Sequence, residues 1–182
     1  MKIEKMEAER EGRRRAMQER KIERAQEATR QKAAGIAGDV DFNSLIGTWR
    51  EEHQSEAKPH TATRAKIVIC VRKRPISEKE VNRKDHDCIT CLHPVVWVHS
   101  SKLRVDGINK YLDHSSFSLD HAFDETCSTE EIYQYSTLPL LDFTLSGTGG
   151  RATVFAYGQT GSGKVSCGLV DIWEHSSESR SN

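Results

Sequence analysis

Gly158, Gly163 and Lys164 stand at the spacing Gly-x-x-x-x-Gly-Lys within "VFAYGQTGSGKVSCGLV". Phosphate needs a bay of inward-pointing backbone N–H groups, and only a tight loop clear of obstructing side chains can form one. Gly158, Gly161 and Gly163 supply the backbone freedom, with Gln159, Thr160 and Ser162 completing the loop. A helix beginning at the end of the loop would add its positive dipole end. Lys164 is placed to reach the β- and γ-phosphates, and the next residue is normally a Ser or Thr that holds Mg²⁺. Here that residue is Val165, which has no oxygen to offer. The bland alternative is a glycine-rich turn without a ligand. The apolar "RATVFAY" directly before the loop reads as a buried strand and favours the phosphate reading.

A second pattern tempts toward metal chemistry. "HDCITCLH" sets Cys88 and Cys91 in a C-x-x-C between His86 and His93. A zinc site would ordinarily want a second ligand pair at similar spacing, and none is present. In a strand the two cysteines would also point to opposite faces. Buried strand thiols are the better reading, and no metal site is predicted. The odd total of five cysteines suits reduced thiols.

The elements that must position the loop follow from composition and pattern. Of 182 residues only 36% are hydrophobic and 30% are charged, so a polar segment dilutes an ordinary domain. Lys+Arg and Asp+Glu balance at 27 each, which favours neither nucleic acid nor an anionic membrane. No apolar run approaches the roughly 20 residues that span a bilayer. The N-terminus "MKIEKMEAER" lacks the apolar core of a secretory signal, so the expected place is the cytoplasm.

Residues 1–57 read as a charged helical neck. Glu9/Arg13 and Glu11/Arg15 pair at i,i+4, and Gly35 and Gly38 end the first helix. Ile3, Met6, Met17 and Ile22 form no sustained heptad, so the coiled-coil signal is weak. Phe42, Leu45, Ile46 and Trp49 make one apolar stripe on a second helix, with Asp39 or Asp41 as its cap. Residues 58–65 read as a linker, with Pro59 disfavouring continued helix. From Lys66 an α/β domain is predicted, with strands in "KIVICV", "VVWVH", "FSLDHAF" and "RATVFAY". The helix in "STEEIYQYSTLPLLDFTLSGTGG" opens on a Ser128/Glu131 capping box and should kink at Pro139.

Four ordered motifs carry a resemblance. "FAYGQTGSGK" is similar, nearly letter for letter, to the phosphate loop of kinesin motor domains. "ICVRKRPIS" resembles the first kinesin strand, whose R-x-R-P motif lies against adenine. "FSLDHAFDE" resembles the family's F-x-F-D-x-x-F-D segment, with Leu119 for the second aromatic, and "EIYQYSTLPLL" the helix before the nucleotide strand. The resemblance covers residues 66–164 and implies a P-loop NTPase-type α/β motor fold that binds ATP with Mg²⁺ and engages tubulin and microtubules. Residues 158–165 would hold the phosphates, and Arg72, Arg74 and Pro75 the base. "KLRVDGINKYLD" further resembles the K-V-D loop of kinesin-13, the group that removes tubulin from microtubule ends. Arg104, Val105 and Asp106 would be that microtubule-contacting finger, with Arg for Lys changing the donor geometry and Gly107 loosening the loop.

The resemblance also sets an expectation about activity. In kinesins an N-x-x-S-S-R and a D-x-x-G switch sense the γ-phosphate, and residues 1–182 contain neither. No catalytic residue is therefore predicted. Residues 165–182 match no kinesin continuation and are expected to be unstructured, encoded by intron read past an AAG|GTAAGT-type junction. The reading is thus the neck and first part of a kinesin-13-like motor. A non-catalytic tubulin- or partner-binding piece is the runner-up, and a small P-loop kinase is disfavoured.

Overall fold

The computed structural model describes residues 2–163, except residues 64, 106, 108 and 148. Lys164, Val165 and the rest of the tail lie outside the described residues, as does Asp106. The chain divides into two compact units. One comprises Met1–Trp49, Ile76–Cys88 and Ser101–Asp113; the other comprises Arg50–Pro75, Ile89–Ser100 and His114–Asn182.

The first unit holds residues 1–49 of the expected neck. Helix α1 runs Lys2–Ala33, and the foreseen Arg15–Glu11 and Arg13–Glu9 pairs close at 2.7 and 3.8 Å. Its end is set by Gly35, whose φ of +69° lets Ile36 N donate to the Gln31 carbonyl (2.9 Å) and Gly35 N to that of Lys32 (3.2 Å). Those two bonds satisfy carbonyls that the helix leaves unpaired, and the positive φ suits glycine. Helix α2, Val40–His53, is capped by Asp39, which accepts from Asp41 N (3.0 Å) and Phe42 N (3.3 Å). Of the apolar stripe, Ile46 is 2% exposed and Phe42 stacks on His86 with ring centroids 5.7 Å apart. Leu45 stays exposed.

A charge cluster ties this unit together. Lys110 Nζ bonds both Asp39 oxygens (2.7 and 2.6 Å) and Asp41 Oδ2 (2.6 Å), while Arg24 Nε reaches Asp41 Oδ1 at 2.8 Å. Burial alone would raise the Asp39 carboxyl, but Lys110 and the α2 amides outweigh it and leave its pKa below the ordinary value. The Arg24 bond, against some burial, lowers that of Asp41. Depressed carboxylates stabilise the folded state above their unfolded pKa near 4, and that contribution is lost as pH falls below it. Lys110→Met should cost about 1–3 kcal/mol at neutral pH, the worth of hydrogen bonds to charged groups. It should also flatten the drop in melting temperature between about pH 5 and 3. Circular dichroism melts of both chains check this. An equal acid-induced drop in the variant would count against the cluster.

In the second unit, β1 (Cys70–Arg72) pairs parallel with β5 (His121–Phe123), Cys70 opposite His121 and Arg72 opposite Phe123. All three β5 residues are buried. β2 (Ile89–Leu92) and β3 (Val95–Leu103) form an antiparallel hairpin about His93–Pro94, a cis peptide, and β4 (Lys110–Ser118) completes a sheet ordered β2-β3-β4. "FSLDHAF" is therefore divided between β4 and β5. Asp120, between them, binds Ile69 N through its carboxylate (2.8 Å) and Ile69 O through its own N–H (3.1 Å).

The expected kink at Pro139 is instead a break. Helix α4 (Thr129–Ser136) ends at Thr137, and α5 (Leu138–Leu145) starts anew with the proline in its first turn. Proline lacks an N–H and clashes with the preceding turn, but the first helical turn needs neither. Ser128 caps α4 by accepting from Glu131 N at 3.1 Å. A capping box that the sequence reading passed over starts α3 (Glu78–Asn82), between Ser77 and Glu80.

The segment read as a linker is docked in this unit. Lys58 N donates to the His93 carbonyl (2.8 Å), and the His60 ring lies tilted against His93 and stacked on Phe123 at centroid distances of 3.9 and 4.5 Å. Burial, with the neighbouring His60 and His121, lowers His93 to about 4, so it is neutral at physiological pH. Among the described residues Cys70, Cys88, Cys91 and Cys127 are free thiols. Burial pushes Cys91 up to about 11, as expected of a structural strand thiol and not a reactive one.

Candidate nucleotide-binding site

The adenine-side motif grows out of the β1–β5 pairing. Lys73 N continues the ladder to the Phe123 carbonyl (2.9 Å), and Lys73 Nζ meets Glu125 at 2.8 Å. This anchors the chain on both sides of Arg72. Arg74 turns back on itself, its guanidinium donating to the Pro75 carbonyl at 2.8 Å. Pro75, with no N–H to give, is where the strand direction ends.

The glycine loop takes the backbone its spacing requires. Gly161 and Gly163 have φ of +84° and +85°, a region that side chains with a Cβ rarely enter. Gly158 does not share that conformation. The turn is closed by Ser162 N donating to the Gln159 carbonyl at 3.1 Å. A Cβ at Gly161 would meet nothing within 4 Å. A Cβ at Gly163 would lie 4.0 Å from the Arg74 Cβ. Two motifs nearly ninety residues apart, R-x-R-P and the glycine loop, thus stand against each other inside one unit.

The strand expected before the loop is not formed. Residues 151–159 have no regular secondary structure, and Phe155 and Tyr157 are 86% and 101% exposed. An apolar strand is stable only when its N–H and C=O groups find ladder partners and its faces find cover. Among the described residues none pairs with this segment. Its side chains, apolar on nearly every position, are what a strand buried on both faces would carry.

The predicted finger residues lie elsewhere, in the first unit, where β3 gives way to β4. Arg104 N donates to the Asn109 carbonyl (2.8 Å) and Gly107 N to that of Arg104 (2.9 Å), closing the hairpin tip. Val105 is fully exposed, and the Arg104 guanidinium lies 6.0 Å over the Tyr111 ring. Asp106 falls outside the described residues. Of the C-x-x-C and its flanking histidines, His86 and Cys88 belong to the first unit, and Cys91 and His93 to the second.

The family model described as the kinesin motor domain matches residues 72–166, just over half of the chain, from the first residue of R-x-R-P to the end of the glycine loop. The chain belongs to the kinesin family. It is 52% identical over 171 residues to diatom spindle kinesin-1 of Cylindrotheca fusiformis, a match covering 91% of this chain and 27% of that kinesin. The chain thus spans about a quarter of the length of that relative. Residues 72–182 make up under two thirds of the chain, so the likeness must extend well into the neck. The mixed helices and strands accord with the α/β, P-loop NTPase-type fold of the kinesin motor domain.

The sequence reading missed the histidine cluster of the second unit, because His60, His93 and His121 share no local spacing. Of the three, only His93 drew attention there, beside His86, Cys88 and Cys91.

Proposed function

We propose that this kinesin chain supplies the neck and the nucleotide-entry part of an ATP-driven, kinesin-13-like motor that removes tubulin from microtubule ends. The observation that carries the reading is the exposed β3–β4 tip, with Arg104 and Val105, in the same compact unit as residues 1–49 of the neck. Lys110, at the start of β4, joins the tip to the neck through Asp39 and Asp41. Force or contact at the tip would be delivered to a helix-supported base. Arg104, Val105 and Asp106 are the proposed tubulin contacts, and the microtubule cytoskeleton of the cytoplasm the proposed location.

The nucleotide would be ATP. The loop amides of residues 158–163, with Lys164, would hold its phosphates, and Arg72, Arg74 and Pro75 its base. The positive φ of Gly161 and Gly163 supports a phosphate loop, but Val165 brings no hydroxyl to a Mg²⁺ ion, so Mg²⁺-dependent affinity should be weak. Val165→Thr is expected to raise affinity for Mg–ATP without producing turnover in the 182-residue chain. The chain has neither switch to position the attacking water and the γ-phosphate. Phosphate release measured with and without microtubules checks this. Release above background that Lys164→Ala removes would overturn it.

The neck itself favours a second role as a tubulin-binding arm. Arg13, Arg14 and Arg15 are adjacent and exposed on α1. They should bind acidic tubulin surfaces weakly and independently of nucleotide. Such attraction is screened by salt, so co-sedimentation of the chain with microtubules should fade as ionic strength rises. Binding undiminished in high salt would point to a packed interface instead.

A further inference from the structure

We propose that His60, His93 and His121 form a binding site for a divalent transition metal of the zinc class. One ring nitrogen from each lies within 4.8 Å of the others, and His121 is fully buried. The three come from separate parts of the second unit: the segment before β1, the β2–β3 turn and β5. Imidazole donors suit zinc, copper, iron or nickel, not magnesium or calcium.

Hydrogen bonding presets one of these nitrogens. Thr63 Oγ1 lies 3.4 Å from the Thr61 carbonyl and 3.2 Å from His121 Nε2, and a hydroxyl that donates to the carbonyl accepts from Nε2–H. That leaves the lone pair of His121 on Nδ1. This Nδ1 lies 3.3 Å from His60 Nδ1, which then donates its N–H, and an incoming ion would replace that proton. Two nitrogens each about 2.0–2.1 Å from a tetrahedral zinc are separated by roughly 3.3 Å. The pair therefore has the edge length of such a site, with Thr63 in the supporting role that holds a ligating ring. His93 Nδ1 accepts from Ala122 N at 3.3 Å, a long bond that an ion taking this nitrogen would displace. The His60 and His93 rings lie 3.9 Å apart and 32° from parallel, so ligation by both requires the rings to turn. Cys127 and Glu131 also bring ligand atoms within 4.8 Å of that of His60, which puts the fourth corner on that side.

A bound ion would clip the segment before β1, and hence the approach to Arg72, onto β5. The test is titration of the chelator-treated 182-residue chain with Co²⁺, read from its visible d–d bands, and with Zn²⁺, read from the melting temperature. Saturable tetrahedral cobalt bands at one equivalent and a raised melting temperature are expected. His60→Gln and His121→Gln should each weaken binding by about 10-fold or more, and Thr63→Val by about 10-fold. His114→Gln, altering the separate His99–His114 contact (2.8 Å), should leave binding unchanged. Should the histidine variants fail to fold, the wild-type bands and Thr63→Val still decide. Absence of saturable binding, unchanged affinity in Thr63→Val, or loss in His114→Gln in place of His60→Gln would each overturn the proposal.

Discussion

Replacing Phe123 with Ala should lower the stability of the second unit by about 3–5 kcal/mol, the usual cost of emptying a buried phenylalanine site. Phe123 is completely buried at the end of β5, its backbone carbonyl takes the Lys73 N–H, and its ring stacks on His60. The substitution therefore removes the cover of β5 and the seat of the segment before β1. Collapse into the gap is limited because the neighbouring stack is made of flat rings. Urea unfolding read from Trp97, with Trp49 and Trp173 replaced by Phe, isolates this unit. A loss under about 1 kcal/mol would mean that the ring is not the keystone its burial implies.

Nucleotide affinity should respond most to the glycine loop. Gly161→Val forces a β-branched residue to φ of +84°, which costs about 1–3 kcal/mol if the loop holds its shape. If the loop shifts, the amide cradle is lost. Lys164→Ala removes charge-assisted contacts worth about 1.5–3 kcal/mol. Each substitution should weaken binding of a fluorescent ATP analogue by roughly 10- to 100-fold. Arg104→Ala, at the hairpin tip, should leave it unchanged. Equal affinity in Gly161→Val and the parent chain would exclude the loop as the phosphate site.

Much of this architecture was legible because it is decided locally. Gly35 ends α1 through bonds within six residues, Asp39 caps α2 within three, and Ser128 caps α4 in the same way. The glycines at 161 and 163 could be read as a tight loop since few other residues tolerate that backbone. Long-range pairing decided what was misread. "TVFAY" has strand composition, but a strand exists only with a partner, and the described residues supply none. Whether Pro139 kinks or breaks its helix depends on where the next helix can start, and here it sits in the first turn of α5. His60 lay in a stretch that read as linker, since nothing near it in sequence shows that β5 and the β2–β3 turn will meet it. The neck–hairpin cluster was equally hidden, because Lys110 lies some seventy residues from Asp39 and Asp41.

The proposed tubulin-releasing finger and the neck that supports it are put to the test by joining residues 1–164 to the remaining motor segments of diatom spindle kinesin-1. Shortening of stabilised microtubules with ATP is then followed by fluorescence microscopy. ATP-dependent loss of length from both ends is expected. Alanines at Arg104, Val105 and Asp106 should abolish that loss while basal ATPase stays within about twofold, since the tip lies outside the nucleotide motifs. Movement along microtubules of constant length, unaffected by those alanines, would contradict that proposal.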